Sequence, residues 1–255
     1  MDIAENVRRF REYAAGFTEG PAGFGCRLKL DHTMDVLAVA RRIMAGEGVT
    51  ASDRVLAGEL AALYHDLARF EQFRKFHTFL DSRSFDHGSR SAEMLETGTW
   101  LEGAEENLRQ EVIQAVRFHN KRALPGDLPR AYLFTAKLVR DADKISIYHV
   151  VLEFLRHRDR YAGEDFVTLD LPDIPVVHHH LLEVVRSGGS ISMKELSCVN
   201  DFLLNLFCWV NDINFTTSRR IIAGEDIYPQ IREFLPPDAE LDALMQELLR
   251  KLTGD

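Results

Sequence analysis

The chain has 255 residues, 45% of them hydrophobic, and sets 40 acidic side chains against 31 basic ones for a net charge of −9. That length suits one large domain or two small ones, with enough apolar mass for a sizeable core. The negative balance argues against nucleic acid or anionic lipid as partners, and it leaves room for a small phosphorylated ligand.

The opening MDIAENVRRF carries charges where a secretory signal needs an apolar run, and no stretch approaches the roughly 18 apolar residues of a membrane span. Cys26, Cys198 and Cys208 are widely spaced, with no Cys-x-x-Cys pair to suggest a disulfide framework or a zinc site. A reducing, cytoplasmic location is the expectation.

Residues 3–15 read as a short amphipathic helix, after which Gly16, Gly20, Pro21, Gly23 and Gly25 break the pattern. These glycines lack the preceding strand and the spacing of a phosphate loop, so the stretch reads as a connection. From 28 to 44, Leu28, Met34, Val36, Leu37, Val39, Ala40 and Ile43 recur at helical spacing, with His32 in the first turns. Thr50 or Ser52 is expected to cap the next helix, in which Val55, Leu56, Leu60, Leu63, Tyr64 and Leu67 share one face. Its C-terminal end carries His65 and Asp66 side by side.

Residues 71–85 are aromatic and basic without clean periodicity and read as an ordered loop over the site. Asp86-His87 opens a helix to about Thr97, and 105–118 forms the next, with His119 at its end and Pro125-Gly126 closing it. A long helix is expected over 131–158, and an acidic, proline-bearing crossover over 163–175. Helices near 175–186, 192–211, 215–223 and 238–252 complete an all-α fold. With no repeat or composition break, 1–255 reads as a single helical domain, its metal-binding core at about 28–150 and a C-terminal helical extension at about 175–253.

Chemistry-bearing residues fall in the order His32, His65-Asp66, His87, His119 and Asp143. Neutral imidazoles mixed with ionised carboxylates suit one or two divalent transition-metal ions (Mn, Fe, Co, Zn or Ni), with Mg admissible although it favours oxygen ligands. The run His178-His179-His180 is set aside, because three consecutive helical positions point in different directions. Cys198 and Cys208 read as small buried hydrophobes for want of an activating partner.

On His32, His65, Asp66 and Asp143, the chain from about Leu28 to Tyr148 resembles the HD-domain superfamily of metal-dependent phosphohydrolases, whose helical core carries the order His, His-Asp, Asp. The likeness of Asp141-Ala142-Asp143-Lys144-Ile145 to the family's Ala-Asp-basic-apolar segment picks Asp143 over Asp141 as ligand. The division of base and ligand roles between these two aspartates stays open. More narrowly, the segments His65-Asp66-x-x-Arg69-Phe70-Glu71-Gln72, Thr78-Phe79-x-Asp81, Asp86-His87 and Arg140-Asp141-Ala142-Asp143-Lys144 are similar to a group of bacterial HD-domain hydrolases. That likeness extends to Trp209-Val210-Asn211-Asp212-Ile213-Asn214-Phe215, for which packing is the default reading.

The resemblance to the binuclear branch implies that His32, His65, Asp66 and Asp143 hold one ion and that Asp66, His87 and His119 hold a second. Asp66 would bridge ions about 3.5–4 Å apart. A bound divalent ion acidifies water and polarises a phosphoryl oxygen, so hydrolysis needs no serine or cysteine nucleophile. Asp66, Arg69 and Asp143 are the catalytic expectations. Related enzymes place a lysine or a glutamate at the position of Arg69, and arginine there suits bidentate contact with phosphate. Arg74, Lys75, His77 and Lys121 are further expected substrate contacts.

The implied activity is hydrolysis of a nucleotide or another small phosphate ester or anhydride. The Gly-Tyr-Pro signature of cyclic-dinucleotide phosphodiesterases is missing from the sequence. The alternatives are a di-iron oxygenase on the same six ligands and a non-catalytic, nucleotide-sensing metal-binding module.

Overall fold

Apolar spacing and local caps place the helices of the computed structural model, which describes residues 1–20, 23–161 and 165–254, without the side chains of 165–166. The first helix, α1 (Ile3–Ala15), starts where the Asp2 carboxylate accepts the Ala4 backbone N–H at 3.0 Å. Asp86 does the same for α5 (His87–Thr97), accepting from Ser89 at 2.8 Å. Such caps satisfy amides that the helix itself leaves unpaired.

Between these two lie α2 (Gly23–Gly46), α3 (Ser52–Tyr64) and α4 (Arg69–Phe76). They are followed by α6 (Glu106–Phe118) and α7 (Arg130–Arg156). The chain forms two compact units, Met1–Ser146 and Ile147–Asp255, and α7 runs through the boundary.

In the first unit α3 is the central element, packed by α1, α2 and α6. Ala57, Gly58, Ala61 and Ala62 are fully buried or nearly so, and these small side chains let the neighbouring helices approach closely. A Cβ at Gly58 would fall 2.6 Å from the Leu138 side chain and 2.8 Å from the Met44 sulfur. Leu60, Leu63 and Tyr64 supply the bulk, and Tyr64 donates its hydroxyl hydrogen to buried Asn6 at 2.7 Å. At the C-terminal end of α3 the backbone keeps helical angles through His65, so His65 and Asp66 sit on the tight turn that leads into α4.

Three local expectations need correction. Residues 71–85 are not a loop throughout, because most of α4 lies there and a 3-10 turn follows at Asp81–Arg83. The aromatic spacing that hid the helix buries Phe70 and Phe73 on one side and leaves Arg74 and Lys75 exposed. Secondly, α2 begins at Gly23 rather than Leu28, because Gly25 abuts the Phe73 ring, where a Cβ would come within 2.4 Å. Pro21 of the expected connection lies outside the described residues. Thirdly, neither Thr50 nor Ser52 caps α3, since the capping position falls on Ala51 and has no side-chain bond.

In the second unit α8 (His179–Arg186) packs on α9 (Val199–Cys208). There α12 (Ala239–Thr253) lies against α8, α10 (Thr216–Gly224) and α11 (Ile227–Arg232). Tyr148 donates to the Leu206 carbonyl at 3.0 Å, with the Tyr228 hydroxyl 3.2 Å away. In the Trp209–Phe215 segment Val210 and Ile213 are buried, in keeping with a packing role. Gly163, within the expected crossover, lies outside the described residues. Among the described residues there is no strand, and no helix is long and apolar enough to cross a membrane.

Candidate metal centre

Five pieces of the first unit bring one residue or two each to a single buried point. His32 comes from α2, His65 and Asp66 from the α3–α4 turn, His87 from the start of α5, His119 from the end of α6 and Asp143 from α7. All four imidazoles and Asp66 are at most 6% exposed, and 17% of the Asp143 side chain is open.

The ring orientations follow from the outer nitrogens. His65 Nδ1 donates to the Ala62 carbonyl at 2.8 Å and His119 Nδ1 to the Val116 carbonyl at 2.7 Å, each three residues back along its own helix. His87 Nδ1 donates to the Asp81 carboxylate at 2.7 Å. His32 Nδ1 lies 2.9 Å from the Ser146 hydroxyl, whose own hydrogen can go to the His32 carbonyl at 3.3 Å. With every Nδ1 engaged outward, all four Nε2 atoms are left facing inward, where they are available to a metal ion.

The inward atoms form two halves that share Asp66. In one, His32 Nε2 and His65 Nε2 are 3.4 Å apart, with Asp66 Oδ2 at 3.6 and 3.4 Å and Asp143 Oδ1 at 3.1 and 3.7 Å from them. In the other, His87 Nε2 and His119 Nε2 are 3.0 Å apart, with Asp66 Oδ1 at 3.5 and 3.7 Å. Imidazole lone pairs at that separation repel unless a cation or a proton lies between them. Asp66 Oδ1 is buried without a hydrogen bond, which is costly for a carboxylate oxygen. These donors fit divalent ions, and the groupings His32–His65–Asp66, His65–His119–Asp143 and Asp66–His87–His119 can each hold one.

Electrostatics within the cluster separate the four histidines. Burial, with Lys29 nearby, pulls His32 down to about 4, and burial with Arg69 pulls His87 down to about 3, which favours the neutral, metal-binding form of both at physiological pH. Burial also works against charge on His65, yet Asp66 and Asp143 together outweigh it and raise that residue to about 9. Burial alone would raise the two aspartates, but for Asp66 the charges of Lys29 and His65 dominate, and for Asp143 the bonds to His32 and His65 dominate. Both are held well below the usual carboxylate range.

Three residues around the cluster were given no role by the sequence, although Asp81 closes the Thr78-Phe79-x-Asp81 segment. Lys29 Nζ bonds Asp66 Oδ2 at 2.7 Å, Asp81 anchors His87, and Ser146 orients His32. A helical-spacing argument finds two of them, because Lys29 lies three residues before His32 and Ser146 three after Asp143, on the same helix faces. Buried Arg140 donates to the carbonyls of Phe118 at 3.3 Å and His119 at 3.1 Å and to that of Lys121, fixing the end of α6 that presents His119.

The expected substrate residues are spread out. Arg69 has 13% of its side chain exposed and is turned toward Asp81 (3.0 Å), Gln72 (2.6 Å) and the Phe79 carbonyl (2.5 Å), with Nε 3.5 Å from Asp66. Arg74 and Lys75 are exposed and lie over the rings of Phe17 and Phe76. His77 is exposed at the left-handed C-cap of α4, and Lys121 pairs with Asp86. Asp141 is fully buried.

In the second unit His178 bonds Asp201 at 2.7 Å near Cys198. Ser197 also donates to Asp201 from its amide at 2.8 Å and its hydroxyl at 2.7 Å, and Cys198 is buried, with its thiol pushed up mainly by that burial.

An all-α bundle that gathers four imidazoles and two carboxylates around one buried point is a metal-binding helical domain. The family model for the HD domain matches residues 30–148, and that segment of the chain is an HD domain. HD domains as a class are mostly metal-dependent phosphohydrolases and bind divalent ions; the match covers just under half of this chain. Neither the curated proteins nor the solved structures gave a significant match.

Proposed function

We propose that this protein is a metal-dependent phosphohydrolase acting on a nucleotide or another small phosphate ester or anhydride. The observation that carries the reading is the pair of half-sites joined by one carboxylate, with Asp66 Oδ2 turned to His32 and His65 and Oδ1 to His87 and His119. His32, His65, Asp66 and Asp143 would hold one divalent ion, and Asp66, His87 and His119 the second. Bound there, such ions acidify water and polarise a phosphoryl oxygen.

The chain's own residues divide the remaining work. Ser146 and Asp81 fix the tautomers of His32 and His87, so that Nε2 stays available. The partly open Asp143 marks the side of the cluster that solvent and a substrate can reach. Arg69, one turn beyond Asp66, supplies a fixed positive charge beside the reacting centre for a phosphate oxygen. Of the expected outer contacts, Lys121, Arg74, Lys75 and His77 would act on the distal part of a substrate.

The test is hydrolysis of mononucleotides, dinucleotides and general phosphodiesters with added Mn²⁺, Co²⁺ or Mg²⁺, read as inorganic phosphate from monoesters and as the monoester and alcohol from diesters. The reading expects ion-dependent turnover of at least one class, and hydrolysis of none of them overturns it. Oxygen uptake by an anaerobically iron-loaded sample would assign the same ligands to an oxygenase. A ligand-induced thermal shift without product would assign them to a sensing module.

A further inference from the structure

Lys29 stands where no ligand pattern calls for it. It precedes the segment matched by the HD domain model, lies one turn before His32 on α2, and keeps only 14% of its side chain exposed. Its ammonium is 2.7 Å from Asp66 Oδ2 and 5.4 Å from the centroid of the Phe79 ring. The oxygen it holds is the one turned toward His32 and His65, at 3.6 and 3.4 Å. The other oxygen of the same carboxylate has no hydrogen-bond donor.

An ion bound by Asp66 Oδ2, His32 and His65 and an ammonium on that same oxygen would stand within about 4 Å of each other, where like charges repel strongly in a poorly solvated site. The ammonium must therefore leave Oδ2 or weaken the ion's binding. Arg69, on the opposite side of Asp66, differs because its charge is answered by Asp81 at 3.0 Å.

We propose that Lys29 is a resident competitor for the metal, holding Asp66 and the His32–His65 half together in the metal-free protein and setting the affinity with which that half takes up a divalent ion. The inference rests on the reading of His32, His65, Asp66 and Asp143 as ligands. It adds that the chain contains its own replaceable counter-ion. Displaced from Oδ2, the ammonium remains tethered one turn from His32, against the face of Phe79, where a cation is favourably held.

The experiment uses the full chain and the ions alone, titrating Mn²⁺ and Zn²⁺ against a competing chelator in wild type, Lys29→Met, Lys29→Gln and Lys29→Arg. Melting temperatures are recorded in excess chelator and in excess ion. For the two neutral variants the expected result is at least tenfold tighter binding together with a lower melting temperature in chelator, so that added ion raises their melting temperature more than it does for wild type. Lys29→Arg keeps the charge and should bind within a few-fold of wild type. A merely structural lysine would lower the melting temperature with and without ion and would not tighten binding. Unchanged or weaker binding in the neutral variants overturns the proposal while the metal centre stands. If Lys29→Met does not fold, Lys29→Gln, which retains a hydrogen-bond donor, decides the matter. If wild type takes up no ion at all, the ligand reading fails and this inference with it.

Discussion

Replacing Asp81 by asparagine separates the two halves of the centre without touching a ligand. The carboxylate lies 2.7 and 2.9 Å from His87 Nδ1 through its two oxygens and 3.0 Å from Arg69, and it also accepts from Gln72 at 3.1 Å. It is held down to about 2, because the bond to His87 and the charges of His87 and Arg69 outweigh its burial. An amide keeps the shape but accepts through one oxygen without charge, so His87 loses the partner that makes its Nε2 a stronger donor. Losing such a support typically weakens metal binding about 10–100-fold. Because 30% of the Asp81 side chain is exposed, solvent screening places the effect near the lower end, about tenfold or ~1.4 kcal/mol. Arg69, released from Asp81, could also close the 3.5 Å to Asp66 Oδ1 and oppose an ion there. The assay is equilibrium dialysis at a buffered free Mn²⁺ or Zn²⁺ concentration near the wild-type midpoint, with metal per chain measured by elemental analysis. Asp81→Asn should lose occupancy in the His87–His119 half and retain the other ion. Equal loss of both ions, or no loss, would refute the separation.

Asp66→Ala should abolish binding of both ions and all turnover, because its two oxygens serve both halves; activity at full metal content would sink the assignment. Stability of the chelated protein should peak near pH 6.5. His65, raised from 6.5 to about 9, gives stability that is complete below pH 6.5 and is lost as pH climbs toward 9. His32 and His87, lowered to about 4 and about 3, are neutral in the folded chain, so below pH 6.5 unfolding takes up their protons and stability falls again. Denaturant melts from about pH 5 to 9 check this, and a monotonic trend contradicts it. Gly25→Ala, whose Cβ would meet the Phe73 ring at 2.4 Å, should cost roughly 1–3 kcal/mol by urea unfolding. An unchanged midpoint would show that α2 and α4 are not tightly packed there.

The clustering of these six residues was legible because each sits at a helix end or on a helix whose apolar spacing is plain, and because six imidazoles and carboxylates in one order are hard to explain as scattered polar residues. The helical frame was legible for the same reason, most cleanly at Asp86-His87, where cap and helix start fall together. What surrounds the ligands was not. Lys29, Asp81 and Ser146 are single polar residues of kinds common on any surface; helical spacing puts Lys29 and Ser146 on the faces of His32 and Asp143, but only the folded backbone gives all three their partners. Residues 69–76 hid a helix because α4 is only two turns long and its basic residues interrupt the aromatic ones. The start of α2 was obscured by glycines that usually break helices, of which Gly25 is needed here for close packing against Phe73 and Gly23 for close approach to the Thr18 backbone. The direction in which Arg69 points is set by Asp81, twelve residues away, and no periodicity encodes such a pair.

Arg140 has a consequence for how this fold tolerates change. Its guanidinium is pinned to the carbonyls of Phe118, His119 and Lys121, while Arg140 lies on the same helix as Asp143. The last turn of α6 and the middle of α7 are thereby riveted together from inside, and a longer bond, 3.5 Å to the Arg122 carbonyl, ties in the start of the mostly exposed stretch 122–129 that joins them. Lengthening that connection within the exposed part of 123–127 is therefore expected to leave the spacing between His119 and Asp143 unchanged, which the metal content of such a variant would check. A single side chain outside the cluster thus acts as the gauge for two of its members.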